Sequence, residues 1–132
     1  MRSRLAEGSY DIGPFDFSFI ACESVDVTDP NRPTLQKILT VAEAAEFPAK
    51  IPVCFLISIH RLDAPVEVDI VLESKTAILS LGAHEVKAHA QRAQAIHCVS
   101  RAPTFPAPGD YHAWLKLNGK PVAYWPFRVV QF

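Results

Sequence analysis

Apolar and polar residues alternate over several stretches of this chain, which is the period of a β-strand with one wet face. Phe15, Phe17 and Phe19 alternate with Asp16 and Ser18, predicting a strand whose rings point inward. Val66, Val68, Ile70 and Leu72 alternate with Glu67, Asp69 and Glu73 and predict a second strand of the same kind. Between them lies the most apolar run, Ile51-Pro52-Val53-Cys54-Phe55-Leu56-Ile57-Ser58-Ile59-His60. It is rich in β-branched residues and predicts a central strand covered on most of both faces. Leu35, Lys37, Leu39 and Val41 share one parity and predict a further strand, leading into 42–46, where there is room for one helical turn. Shorter strands are predicted at 77–81, closed by Gly82, and at 95–100. Residues 83–93 have high helix propensity but only Val86 as a large apolar anchor, so propensity and pattern conflict there.

Breakers fall between these runs. Thr28-Asp29-Pro30-Asn31-Arg32-Pro33 is dense in turn formers and predicts an exposed loop. Ala64-Pro65 supplies a turn, and 102–109, with three prolines, an extended connection. The strongest local signal is Asn118-Gly119 between two apolar runs, which predicts a two-residue type I′ hairpin. Such a turn sets Leu117 opposite Lys120, Leu115 opposite Val122 and Ala113 opposite Tyr124, with Trp114 and Ala123 on the other face. Phe127 and Val129 then point away from Leu115 unless a bulge at Pro126 shifts the register, and that bulge is expected. Gly109-Asp110-Tyr111 sits where a tyrosine corner begins the penultimate strand of an immunoglobulin-like sandwich, its hydroxyl bonding back to the preceding loop.

A chain of 132 residues with 49% hydrophobic residues is long enough to bury roughly two-thirds of its unfolded surface in one core. A single domain spanning 1–132 is expected, with 1–13 as a loosely ordered N-terminal arm. Thirteen basic against fourteen acidic residues leave a formal charge of −1, which lacks the field of a nucleic-acid binder. No run approaches the ~18 apolar residues of a membrane span. Arg2 and Arg4 lead into Glu7, Gly8 and Asp11 rather than the apolar run of a signal peptide. A soluble, cytoplasmic protein is the expectation. Cys22, Cys54 and Cys98 form no CxxC pair and lie in apolar neighbourhoods, so three buried thiols are expected. A Cys22–Cys98 bridge across two sheets would resemble an immunoglobulin pair, but a strand-C tryptophan is missing.

Motifs that carry chemistry are sparse. His84-Glu85-Val86-Lys87-Ala88-His89 resembles a zinc-protease helix but has Ala88 where the second ligand belongs. His84 and His89, five apart, splay on a helix and fall on opposite faces of a strand. His97 and Cys98 are neighbours and point apart in a strand, so a thiolate–imidazole couple would need His60 or His112 brought in by the fold. No glycine-rich phosphate loop, GxSxG elbow or catalytic carboxylate pair occurs. No cofactor and no metal are expected, nor an enzyme. The surface candidates are His112, Trp114 and Lys116 at alternate positions, with Trp125 across the hairpin, because aromatics with a polar handle are enriched at interface hot spots.

Taken in order, Ala21-Cys22-Glu23-Ser24-Val25, the stretch 35–41, Phe47-Pro48, Pro52-Val53-Cys54-Phe55-Leu56, the charged alternating strand, Pro-Gly-Asp-Tyr and Asn-Gly resemble a family of small bacterial proteins of unknown function predicted as immunoglobulin-like sandwiches. The resemblance implies that fold and a bacterial cytosolic setting, and carries over no catalytic residues. The expected fold is therefore all-β: an antiparallel immunoglobulin-like sandwich of about seven to nine strands with Greek-key connections and at most one short helix. Its expected core is Phe15, Phe17, Phe19, Val53, Phe55, Ile57, Ile59, Val68, Ile70, Leu115, Leu117 and Phe127. The expected function is non-enzymatic: an accessory or scaffolding domain binding itself or another protein, with no nucleic acid or membrane partner. A small-ligand or carbohydrate module would instead show an aromatic cleft lined by Trp114, Trp125 or Tyr124. A metal or thiol enzyme would need His60, His84, His89, His97 or His112 to converge with Cys98 or an acid.

Overall fold

The structure, a computed structural model, describes residues 16–26, 28–29, 32–60, 62, 64–87 and 95–132. Its strands are β1 (Asp16–Asp26), β2 (Thr34–Ile38), β3 (Val41–Ala44), β4 (Ala49–Lys50), β5 (Val53–His60), β6 (Val66–Glu73), β7 (Ile78–Val86), β8 (Ala95–Arg101), β9 (Thr104–Phe105), β10 (Gly109–Leu117) and β11 (Lys120–Gln131). Antiparallel pairing joins the first sheet in the order β2-β1-β5-β8. The second sheet, β3-β11-β10-β6-β7, is mixed, because β3 runs parallel to β11. β4 and β9 form a separate two-stranded ribbon. The fold is all-β, and no helix occurs among the described residues.

Period-2 patterning places the core between the two large sheets. Val53, Phe55, Ile57 and Ile59 of β5 face Val66, Val68, Ile70 and Leu72 of β6 and Tyr111, Ala113, Leu115 and Leu117 of β10 in one buried cluster. Eleven of the twelve residues expected in the core bear on this directly: Phe17 and Phe19 pack partly buried against the cluster, and the others from Val53 to Phe127 are buried in it. Phe15 lies outside the described residues, as do the expected arm and His89.

Three local expectations are corrected, and one open question is decided. The stretch 35–41 is not one strand. Lys37 takes a left-handed φ of 56°, Leu39 N–H donates to Ala21 O, and the chain then crosses to the second sheet as β3. The helical turn at 42–46 is absent because Ala42 enters the core and β3 pairs with β11 along Val129↔Ala42 and Val130↔Glu43. Over 83–93, where propensity and pattern conflict, the pattern wins as far as it is described: β7 continues to Val86, since the ladder Val68↔His84, Glu67↔Glu85 and Val66↔Val86 outweighs propensity; 88–93 lie outside the described residues. Gly82 does not close that strand. At φ 95° it sits in a bulge of β7 opposite Ile70, a geometry glycine reaches without strain.

The hairpin turn is as read. Asn118 and Gly119 both take positive φ, 52° and 80°, and Leu117 pairs with Lys120. The bulge, however, lies at Val122 and not at Pro126. Lys116 pairs with Pro121 and Leu115 with Ala123, while His112 and Pro126 stay in register. Val122 is buried, so the extra residue lets it enter the core and turns every later residue of β11 over by one face. The bulge thereby sets Trp114 beside Tyr124 and Ala113 beside Trp125.

Candidate functional site

The outer face of the second sheet can be read as rows across its strands, because partners in an antiparallel ladder point to the same side. One row runs Ile78, Glu73, His112, Pro126 and the next Ser80, Val71, Trp114, Tyr124. Asp69 and Lys116 continue it at one end, Asp110 and Arg128 at the other. Water-facing sheet surfaces are ordinarily polar. This one carries an aromatic layer: the Trp114 ring lies 5.0 Å from Tyr124, whose ring meets His112 edge-on at 5.2 Å. Trp114 is 0% exposed although it faces away from the main core, and Tyr124 above it is 45% exposed.

Beside this layer, rows of the sheet and the β6–β7 turn enclose an open groove of about 940 Å³. Its floor is Tyr111 and Phe127, and its polar wall includes Glu73, Thr76, Asp110, His112 and Arg128. The turn is held by Ser74, whose hydroxyl accepts from the Thr76 and Ala77 N–H groups. Tyr111 clamps the base by donating its hydroxyl proton to Ala107 O at 2.8 Å. That is the bond expected of a tyrosine corner. Burial pushes the Tyr111 hydroxyl pKa up, against the opposing pull of its bonds to Ser74 and Ala107. Arg128 Nε donates to Asp110 Oδ1 at 3.0 Å on the rim; both side chains are largely exposed, so the pair contributes little stability.

Of the four surface residues singled out from sequence, His112, Trp114 and Lys116 do share this face, but Trp114 presents no surface of its own. Trp125 lies on the opposite side, packed against the core, where its Nε1–H donates to Leu39 O at 2.7 Å and ties down the crossing to β3. Tyr124 takes the exposed aromatic position; the register read from sequence set it opposite Ala113 instead of Trp114, because the Val122 bulge is silent in the residue pattern. Neither tryptophan nor Tyr124 lines the groove.

The histidines converge in one place only among the described residues. His84 of β7 and His97 of β8 stand 5.6 Å apart between the sheet edges, with an Arg101 guanidinium nitrogen 2.8 Å from His84 Nε2. Burial, then the nearby charges of His84 and Arg101, hold the His97 pKa below the usual histidine range. Above the ordinary value both folded and unfolded states are neutral there. As the pH falls between the ordinary and the lowered value, the unfolded chain takes up a proton that the folded one refuses, so stability is lost with acidification. His97→Gln should therefore show a smaller fall in Tm between pH 7.5 and 5 than the parent chain, checked by thermal denaturation across that range; an equal fall would remove His97 from the acid limb. No group of three histidines, cysteines or acids disposed around a metal position occurs among the described residues. The expectation of three buried thiols needs correction: all three are free and lie in the first sheet, Cys22 and Cys54 buried, but Cys98 is exposed.

No protein-family model matches the chain, and no curated protein does. Among solved structures it is similar to part of the β-glucosidase from Listeria innocua crystallised with glucose, with a TM-score of 0.53 at 9% identity over 90% of this chain and 16% of that one. A second match, the Pseudomonas fluorescens alkylpurine DNA glycosylase AlkC bound to DNA containing an abasic site analog, has a TM-score of 0.44 at 15% identity, covering 84% of this chain and 30% of that one. The glucosidase likeness is one of fold, and the chain spans a small fraction of the length of either.

Proposed function

We propose that this chain is a non-enzymatic accessory or scaffolding domain with an immunoglobulin-like arrangement, which works by protein association through the outer face of its second sheet. The immunoglobulin-like reading is supported by the Tyr111 corner at the start of the penultimate strand. The observation that carries the functional reading is the Trp114–Tyr124–His112 layer outside the core, with Tyr124 half exposed over a fully buried ring. Tyrosine and tryptophan anchors ringed by polar groups are the composition of interface centres.

A second copy of the chain is the occupant the charges favour. A two-fold axis crossing β10 between His112 and Trp114 sets Asp110 of one copy against Lys116 of the other, and the self-complementary aromatic rows against each other. Light-scattering chromatography tests this. The parent chain is expected to run as a dimer and Tyr124→Arg as a folded monomer whose unfolding midpoint matches the parent's once the parent is diluted to monomer; a monomeric parent at high concentration overturns self-association. The polar lining and size of the groove favour a second reading, a small polar ligand, since pockets for such ligands span about 300–1,000 Å³. Against it, the aromatic cleft that a carbohydrate module needs is not lined by Trp114, Trp125 or Tyr124.

A further inference from the structure

On the outer face of the first sheet, three cysteines sit on three adjacent strands. Cys22 of β1 is the direct cross-strand partner of Cys54 in β5. Cys98 of β8 pairs with Leu56, two residues along from Cys54 on the same face. The thiol of Cys54 is thus flanked on both sides: Cys22 stands directly across the ladder, and its Sγ lies 3.1 Å from Cys98 Sγ. All three are free thiols, Cys22 and Cys54 buried and Cys98 exposed. Chain spacing hides the arrangement, because 22, 54 and 98 meet only through the registers of β1 and β8 on β5.

We propose that Cys98 is an oxidative modification site, at which hydrogen peroxide forms a sulfenic acid that Cys54 then closes into an intramolecular disulfide. In the first step the Cys98 thiolate sulfur attacks one peroxide oxygen, the O–O bond breaks, and the departing oxygen leaves as water after protonation. In the second, the Cys54 sulfur bonds to Cys98 Sγ and displaces its hydroxyl, which leaves as water with the Cys54 proton. Two thiols are oxidised and one hydrogen peroxide is reduced to two waters.

Exposure decides the order of events. An oxidant reaches Cys98 from solvent, whereas Cys54 and Cys22 are covered, and burial pushes both of their thiol pKa values up, further in Cys54 through its sulfur neighbours. A thiol so held is a poor first nucleophile and an available second one once a sulfenic acid stands against it. Closing the observed 3.1 Å contact to a bond of about 2.05 Å takes about 1 Å of movement. β8 is an edge strand held on one side by β5, so it has that freedom.

The test treats the reduced full chain with hydrogen peroxide, quenches it, alkylates the remaining thiols and maps peptides without reduction. The expected product is a Cys54–Cys98 linked peptide lighter by about 2 Da than the two free peptides, the loss of two hydrogens, with Cys22 alkylated. Cys98→Ser should leave Cys54 and Cys22 alkylated. In Cys54→Ala, Cys98 should be captured by a 1,3-dione reagent as its sulfenic acid. A Cys22–Cys54 link, Cys98 oxidised to sulfinic acid beside an alkylated Cys54, or Cys98–Cys98 dimers would each overturn the proposal. Cys98→Ser alters an exposed side chain, so its result stands even where Cys54→Ala does not fold.

Discussion

Trp114→Ala is expected to lower the free energy of unfolding by about 3–5 kcal/mol, the range for deleting a fully buried aromatic ring. The ring is 0% exposed and sits in a row with Val71 on one side and Tyr124 on the other. Its removal leaves a hole beneath Tyr124 that the paired strands β6, β10 and β11 cannot collapse to fill, because their ladders hold the backbones apart. Against a typical total stability of about 5–15 kcal/mol, that is a third or more. Urea denaturation followed by circular dichroism checks it, with the midpoint shifted and the slope unchanged. A change under about 1 kcal/mol would mean that the ring is solvated and the face differently arranged. The same substitution would also disrupt any dimer, so it cannot separate packing from association. Tyr124→Arg can, because that side chain is half exposed and its loss costs the monomer little.

How much of this was legible in the chain depends on whether the signal was local. The hairpin turn was, since Asn118 and Gly119 alone meet its demand for two positive φ values. So was the alternation of β6 and the double-sided burial of β5. The crossing between sheets at 38–41 was not: its left-handed residue is Lys37, a type that carries no turn signal. The bulge was expected where proline announces one, at Pro126, and occurs instead at Val122, where the gain is a buried side chain that only the opposing sheet can offer. That one-residue difference is also why the candidate site was half legible. His112, Trp114 and Lys116 alternate on one strand and share a face in any register, but the identity of the ring across from Trp114 turns on the bulge. The thiol cluster was illegible for a related reason, since strand registers between residues dozens of positions apart leave no local trace.

Phe105 illustrates the same limit and carries the second large effect: Phe105→Ala is expected to cost about 3–5 kcal/mol. It lies in a proline-rich stretch that reads as an extended connection, and no periodicity marks it as core. Yet it is 0% exposed, because the short ribbon Ala49↔Phe105 and Lys50↔Thr104 holds that connection where Phe105 joins the core cluster. There its ring meets Tyr111 edge-on at 5.1 Å and Phe127 edge-on at 6.1 Å, while Tyr111 and Phe127 stack at 5.8 Å. Edge-to-face geometry adds about 0.5–1.5 kcal/mol per pair beyond burial, so Phe105→Leu, which keeps most of the volume, should still lose about 1–2 kcal/mol. Tyr111 and Phe127 are the floor of the groove, and the Tyr111 bond to Ala107 holds the loop that follows Phe105. Phe105→Ala should therefore loosen the groove as well as the fold, seen as faster amide hydrogen exchange in 107–112 than in β5 under conditions where the chain stays folded. Equal protection in the two segments, with a stability loss below about 1 kcal/mol, would show that the connection merely lies over the sheets and does not close them.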